Sequence, residues 1–110
     1  MENWYQVGPK VLPIERLKKF NTKGNLWIYI LSLLKKRELY GWQIQSLIEE
    51  KFNFKPGKIT PYRVFYRLEQ QGFVKSKTEN RRRIYKITKK GRRELEKARK
   101  FYQNLLNEIK

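Results

Sequence analysis

The chain has 110 residues, which suits one domain with a modest core. It contains no cysteine, no histidine and no aspartate, so all ten acids are glutamate. That composition excludes Cys/His zinc sites, thiol nucleophiles, imidazole bases and Ser-His-Asp triads, and neither a metal nor a cofactor is expected. Against those ten glutamates stand 27 Lys and Arg, a net charge of +17, and a surface so charged calls for an anionic partner. Aromatics at 15% are too many for a disordered basic tail.

The chain opens with a mixed leader through Pro13, punctuated by Pro9 and carrying Trp4, Tyr5, Val7, Val11 and Leu12. It shows neither a signal peptide nor a stretch long enough to span a bilayer, so the expected location is cytoplasmic, associated with the nucleoid. Pro13 suits the first turn of a short helix with Ile14, Leu17 and Phe20 on one side. Asn25 is placed to cap a second helix running to about Lys36. Leu26, Trp27, Ile30, Leu31 and Leu34 recur there at helical spacing, and Ile28 and Leu33 widen the apolar surface as a central core helix requires.

A further helix is expected over about 41–51, with Ile44, Leu47 and Ile48 inward, closed by the loop Phe52-Asn53-Phe54-Lys55-Pro56-Gly57. Thr60 as N-cap and Pro61 in the first turn start the next helix, which carries Val64, Phe65 and Leu68 inward and stops at Gly72. Phe73–Glu79 and Ile84–Thr88 read as strands of a hairpin turned by Asn80-Arg81-Arg82-Arg83. Thr88 caps a last helix, in which Gly91 is a mild weakness. There Leu95, Ala98, Tyr102, Leu105 and Ile109 alternate steps of three and four, a two-heptad seam. Basic residues crowd positions 75–100, with thirteen Lys/Arg against three Glu.

Three helices, a tight hairpin and a final helix describe a mainly α chain with a small β-hairpin (α+β). The fold class is a winged helix-turn-helix with an added C-terminal dimerisation helix. Its expected division is 1–24 for an N-terminal segment in dimer contact, 25–88 for the DNA-binding unit and 89–110 for the dimerisation helix. Helix Thr60–Gly72 would enter the major groove of double-stranded DNA, and the hairpin would be the wing. On this reading Thr60, Tyr62, Arg63, Tyr66 and Arg67 point outward, with Arg63 the base reader. Lys58, Arg81, Arg82 and Arg83 bind backbone, helped by Lys77 and Lys86. A salt bridge within the fold is the alternative for Arg67, and Trp4, Trp27 and Trp42 belong to core or interfaces. Ile14, Leu17, Phe20, Leu95, Ala98, Tyr102, Leu105 and Ile109 form a homodimer interface, because the distal half of the last helix has too little of its own domain to cover it.

Four pieces of sequence also resemble the PadR family of transcription regulators. They are Tyr40-Gly41-Trp42-Gln43-Ile44, Thr60-Pro61-Tyr62, Arg67-Leu68-Glu69-Gln70-Gln71-Gly72-Phe73-Val74 and Arg83-Ile84-Tyr85-Lys86-Ile87-Thr88-Lys89-Lys90-Gly91. The resemblance covers Leu26 to Gly91 and implies a homodimeric winged-helix DNA-binding repressor with a single long dimerising helix. Pro61 stands where the family has leucine, and Arg63 where proline is common. The first removes a core side chain and the second adds a cation to the outer face. No residue of an effector pocket can be carried over.

Rival functions make different demands. A sequence-blind architectural DNA-packing protein would share the charge but discriminate little between sequences. RNA binding would need exposed stacking aromatics, and membrane-surface binding a free amphipathic helix. An enzyme would need two converging glutamates, whereas Glu49-Glu50 and Glu94/Glu96 read as surface residues.

Overall fold

In a computed structural model of the chain, residues 10–109 are described. Eight elements follow one another: α1 (Pro13–Phe20), α2 (Leu26–Leu34), β1 (Leu39–Tyr40), α3 (Ile44–Phe52), α4 (Thr60–Gln70), β2 (Val74–Glu79), β3 (Arg82–Ile87) and α5 (Lys89–Glu108). Short 3-10 turns at Lys23–Asn25 and Gly41–Gln43 lead into α2 and α3. The leader residues Trp4, Tyr5 and Val7 lie outside the described residues.

The core forms around α2, which buries Leu26, Ile30, Leu31, Leu33 and Leu34. Against it pack Ile44 and Ile48 of α3, Phe65 and Leu68 of α4, and Leu39, Val74, Tyr85 and Ile87 of the sheet. Phe65 and Tyr85 stack at 3.9 Å between ring centroids, which ties α4 to the middle strand. Pro61 is fully buried and fills the start of α4 where leucine was missed. Tyr29 meets the edges of Phe52 and Phe54, each at 4.9 Å, and so closes the end of α3 and the loop after it.

The sheet has three antiparallel strands in the order β1-β3-β2. β1 is absent from the sequence expectation because two residues, Leu39 and Tyr40, are too few to show alternation. It pairs with Tyr85 and Ile84 and gives the wing a second edge partner. The expected four-residue turn is also corrected. Glu79 pairs directly with Arg82 and Thr78 with Arg83, leaving only Asn80 and Arg81 in the turn. Both turn residues take positive φ, 53° and 62°, as the favoured two-residue hairpin turn requires.

Two expected caps are replaced. Asn25 makes no cap bond; its Nδ2 donates to the Phe20 carbonyl and its Oδ1 accepts from Trp27 Nε1 at 3.3 Å. Thr60 is the first residue of α4 rather than its cap, and the preceding Ile59 has no side-chain oxygen to offer. Two other boundaries hold. Gly72, at φ 83°, ends α4 with Phe73 N–H donating to the Leu68 carbonyl at 2.9 Å and Gly72 N–H to Glu69 at 3.0 Å. Thr88 Oγ1 accepts from Gly91 N–H at 3.0 Å and caps α5.

Gly91 is a requirement here rather than a weakness. A Cβ on it would sit 2.1 Å from the Phe73 carbonyl oxygen and 2.8 Å from Ile87 Cγ1. The first turn of α5 therefore lies directly on the backbone that leaves α4. Gly91→Ala is expected to lower unfolding free energy by about 3 kcal/mol, the upper end of ordinary overpacking, because the obstacle is backbone. Urea denaturation checks this, and a loss under about 0.5 kcal/mol would show that the junction yields easily.

Candidate nucleic-acid interface

α4 is amphipathic, with Pro61, Phe65 and Leu68 inward. Its opposite side carries Thr60, Tyr62, Arg63, Tyr66 and Arg67, all exposed. Tyr66 is 66% exposed and its hydroxyl accepts from Gln70 Nε2 at 3.2 Å. Ile59, 67% exposed, stands one turn ahead of Arg63, and Lys58 beside it is exposed too. Ile59 is not legible in the sequence, since an isolated isoleucine before a helix carries no periodic signal.

The outer residues divide between two flanks of the helix. Arg63 and Arg67 edge a groove of about 500 Å³ toward α2, shared with Lys23, Trp27 and Phe73 and closed at one side by Glu94. No ion pair of Arg67 occurs among the described residues; the internal salt bridge belongs to Arg83 instead. Tyr62 leans the other way, across Gly41, where a Cβ would come within 2.9 Å of its ring. The segments Tyr40–Ile44 and Thr60–Tyr62, 21 positions apart at Gly41 and Tyr62, are thus in contact.

The wing holds its arginines in three different ways. Arg81 sits at the tip in the left-handed region. Arg82, paired across the hairpin with Glu79, has its guanidinium carbon 5.4 Å from the centre of the Trp42 indole. Arg83 is held within the fold. Its Nη1 donates to Ser76 Oγ at 2.8 Å and lies 4.0 Å from Glu69 Oε1, while Ser76 Oγ donates to Glu69 Oε2 at 2.6 Å. Lys77 lies 3.8 Å from Glu79 on its own strand, and Lys86 is exposed on the middle strand. Tyr85, beneath this surface, is buried against Phe65, and burial pushes its phenol above the usual range. Trp42 belongs to this surface and not to the core, being 55% exposed and stacked with Tyr40 at 6.3 Å.

The residues expected at a dimer interface fall into two groups. Leu95, Ala98 and Tyr102 are half-buried and turn inward; Leu95 packs on the core, and Tyr102 donates to Asn21 Oδ1 at 2.7 Å. Phe20 is half-buried. Ile14, Leu17, Leu105 and Ile109 are exposed, joined by Phe101 and Leu106, and Ile109 lies just beyond the end of α5. The regular seam therefore differs along its length, half-buried at Leu95, Ala98 and Tyr102 and exposed at Leu105 and Ile109. Among the described residues no cluster of three or more acids could hold a metal, and no helix is long and apolar enough to cross a membrane.

A three-stranded sheet with its hairpin beside an exposed helix of a helix-turn-helix defines a winged-helix DNA-binding fold. Residues 30–97 match the Transcriptional regulator PadR-like family, and the chain belongs to that family. Among solved structures it is similar to a transcriptional regulator from Clostridium thermocellum, with 30% identity, TM-score 0.72, and 78% of this chain and 90% of that one covered. It is also similar to a PadR family transcription regulator from Clostridium difficile R20291, with 27% identity, TM-score 0.68, and coverage of 78% and 98%. PadR of Bacillus subtilis, solved in complex with operator DNA, matches at 28% identity and TM-score 0.62 over 66% of this chain and 45% of its own. Among curated proteins none matches the sequence.

The backbone of Arg81 ties stability to charge. A non-glycine residue at φ 62° carries strain of about 1 kcal/mol, which glycine would relieve. Arg81→Gly is expected to raise unfolding free energy by about that amount. If Arg81 meets phosphate, the same change flattens the salt dependence of duplex binding by about 0.9 in log–log slope. Paired denaturation and binding titrations check both halves.

Proposed function

We propose that the protein is a sequence-specific, double-stranded-DNA-binding transcriptional repressor that acts as a homodimer. α4 lies in the major groove, and the wing rests on the neighbouring backbone or minor groove. The observation that carries this reading is the outer side of α4, where Arg63 and Arg67 sit with the exposed, uncharged Ile59 and Tyr66, next to a wing tipped by Arg81 and Arg82. Cations alone would serve backbone binding. Apolar and aromatic groups among them suit base edges, above all a thymine methyl. Operator binding by the related Bacillus subtilis PadR supports the same assignment.

Arg63 takes the base-reading role, with guanine as the preferred partner of an arginine. Thr60 and Tyr62 meet backbone at the start of α4. Lys58, Lys77, Arg81 and Arg82 contribute phosphate contacts, and Arg83 reaches backbone only by loosening its Ser76–Glu69 anchorage. The dimer forms through the exposed apolar residues of α1 and the distal part of α5, where Leu17, Phe101, Leu105 and Leu106 keep about half or more of their surface in solvent. The net charge of +17 alone favours the second reading, a sequence-blind DNA-packing protein.

Selection of tight-binding duplexes from a random pool, followed by titration over a salt series, separates the two readings. A two-fold symmetric site preferred by at least about 10³ over random sequence is expected. A ratio near unity would establish the packing protein instead. Arg63→Ala should cost about 1–3 kcal/mol on the selected site and relax the preference at one base pair per half-site. Sedimentation should show a dimer for the unmodified chain and a monomer for Phe101→Glu/Leu105→Glu, which keeps its fold because both positions are exposed. A monomeric unmodified chain would remove the dimer.

A further inference from the structure

Trp42 sits at the edge of a cleft of about 450 Å³ that also takes in Gly41, Tyr62, Arg82, Arg83 and Tyr85. The cleft lies between the 3-10 turn before α3, the first turn of α4 and the wing strand β3. Among the described residues no acid lines it. The two glutamates nearby are engaged elsewhere: Glu79 accepts from the Tyr40 hydroxyl at 3.4 Å and faces Lys77, and Glu69 is held by Ser76 beside Arg83. Arg82 makes no ion pair among the described residues, and its contact is the face of the Trp42 indole.

A large indole left 55% in solvent is costly surface on a soluble domain, and here it is already ordered by stacking on Tyr40. Its position under Arg82 restricts a long, rotamer-rich side chain before any ligand arrives, and pre-ordering of that kind is a gain in affinity. The lining offers donors: a guanidinium, the phenol of Tyr62 and the indole N–H. It also offers a flat apolar face. That pairing fits one unit of a nucleic-acid backbone, with the phosphate on the donors and the deoxyribose against the ring.

We propose that Trp42, Tyr62 and Arg82 form a socket for one sugar–phosphate unit of the DNA strand bordering the groove that α4 occupies, with Trp42 as the positioning residue for Arg82. The proposal rests on the DNA-binding reading above and deepens it. It makes Trp42, at the start of the helix-turn-helix, the connection between the reading helix and the wing. The cleft's place follows from the fold, since the first turn of α4 and the wing both approach the strand that edges that groove.

Fluorescence anisotropy of one labelled duplex, titrated over a salt series, tests this with the full chain and the variants Trp42→Ala, Trp42→Phe, Arg82→Ala and Trp42→Ala/Arg82→Ala. Both positions are exposed, and equal thermal midpoints of the four variants confirm intact folds. Trp42→Ala should weaken binding about fivefold, with Trp42→Phe recovering most of the loss. Arg82→Ala should lower the salt slope by about 0.9, and adding Trp42→Ala to it should change little, because the indole acts through that arginine. Unchanged affinity and slope in Trp42→Ala would overturn the socket. Equal losses from Trp42→Ala in both backgrounds would overturn the positioning role. Emission that disappears in Trp42→Phe should respond to duplex and not to inorganic phosphate or thymidine monophosphate at matched ionic strength. A response to either small anion would replace the DNA strand with a free ligand. If the unmodified chain binds no duplex at all, the DNA-binding reading itself falls, an outcome distinct from the others.

Discussion

The contact of Gly91 with the carbonyl of Phe73 is the constraint on which the arrangement of the other parts depends. Between Gly72 and Lys89 the chain ends α4, turns through Phe73 into the wing, returns along β3 and starts α5. Thr88 N–H donates to the Phe73 carbonyl at 3.1 Å, Thr88 Oγ1 donates to the Gly72 carbonyl at 2.7 Å, and Lys90 Nζ reaches the Gln71 carbonyl at 2.6 Å. The carbonyls of the three residues that follow α4 are thus satisfied by the start of α5 and its cap. One knot fixes three directions: α4, the wing and the long helix. Any side chain at Gly91 would pry them apart together.

That geometry gives the functional surfaces their relation. The wing leaves the knot along β2 and comes back along β3, where Phe65 stacks on Tyr85 and aligns sheet with helix. β1 adds a third strand and delivers Gly41 and Trp42 next to Tyr62 and Arg82. α5 leaves in the other direction, packing Leu95 on the core and Tyr102 on Asn21 before it extends past its own domain. The extents of 49 × 28 × 26 Å reflect this: a rounded body from which one helix end protrudes. On the proposed function, an exposed apolar helix end rigidly joined to the basic face of α4 would hold two half-sites at a set spacing.

Much of this was legible in the residues, where several signals agreed. The apolar run of α2, the Gly72 stop and the Thr88 cap each combine periodicity with a chemical stop or start, and each stands where expected. The failures have particular causes. Asn25 has cap chemistry, but the Phe20 carbonyl and the Trp27 indole compete for the same side chain, and they win. Arg82 and Arg83 read as turn because both are charged, yet strand register is set by the positive φ of Asn80 and Arg81, which no charge pattern reveals. Gly91 read as a helix weakness because propensity is local, while its reason is a carbonyl 18 positions back in sequence. Trp42 read as core or interface; its 55% exposure excludes the core and leaves the interface, a choice periodicity could not make.

The division of the wing arginines also shows how a run of one residue type becomes three different tools. Arg81 carries backbone strain at the tip, Arg82 lies over an aromatic ring, and Arg83 is held by a serine and a glutamate. A folded network that already satisfies Arg83 must be given up before that guanidinium meets phosphate, whereas Arg82 leaves behind only an indole face, which can itself line the contact. Net charge counts the three alike. Their cost of engagement rises from Arg82 to Arg83, so phosphate binding on the wing should concentrate on Arg81 and Arg82, with Arg83 bracing the strand that presents them.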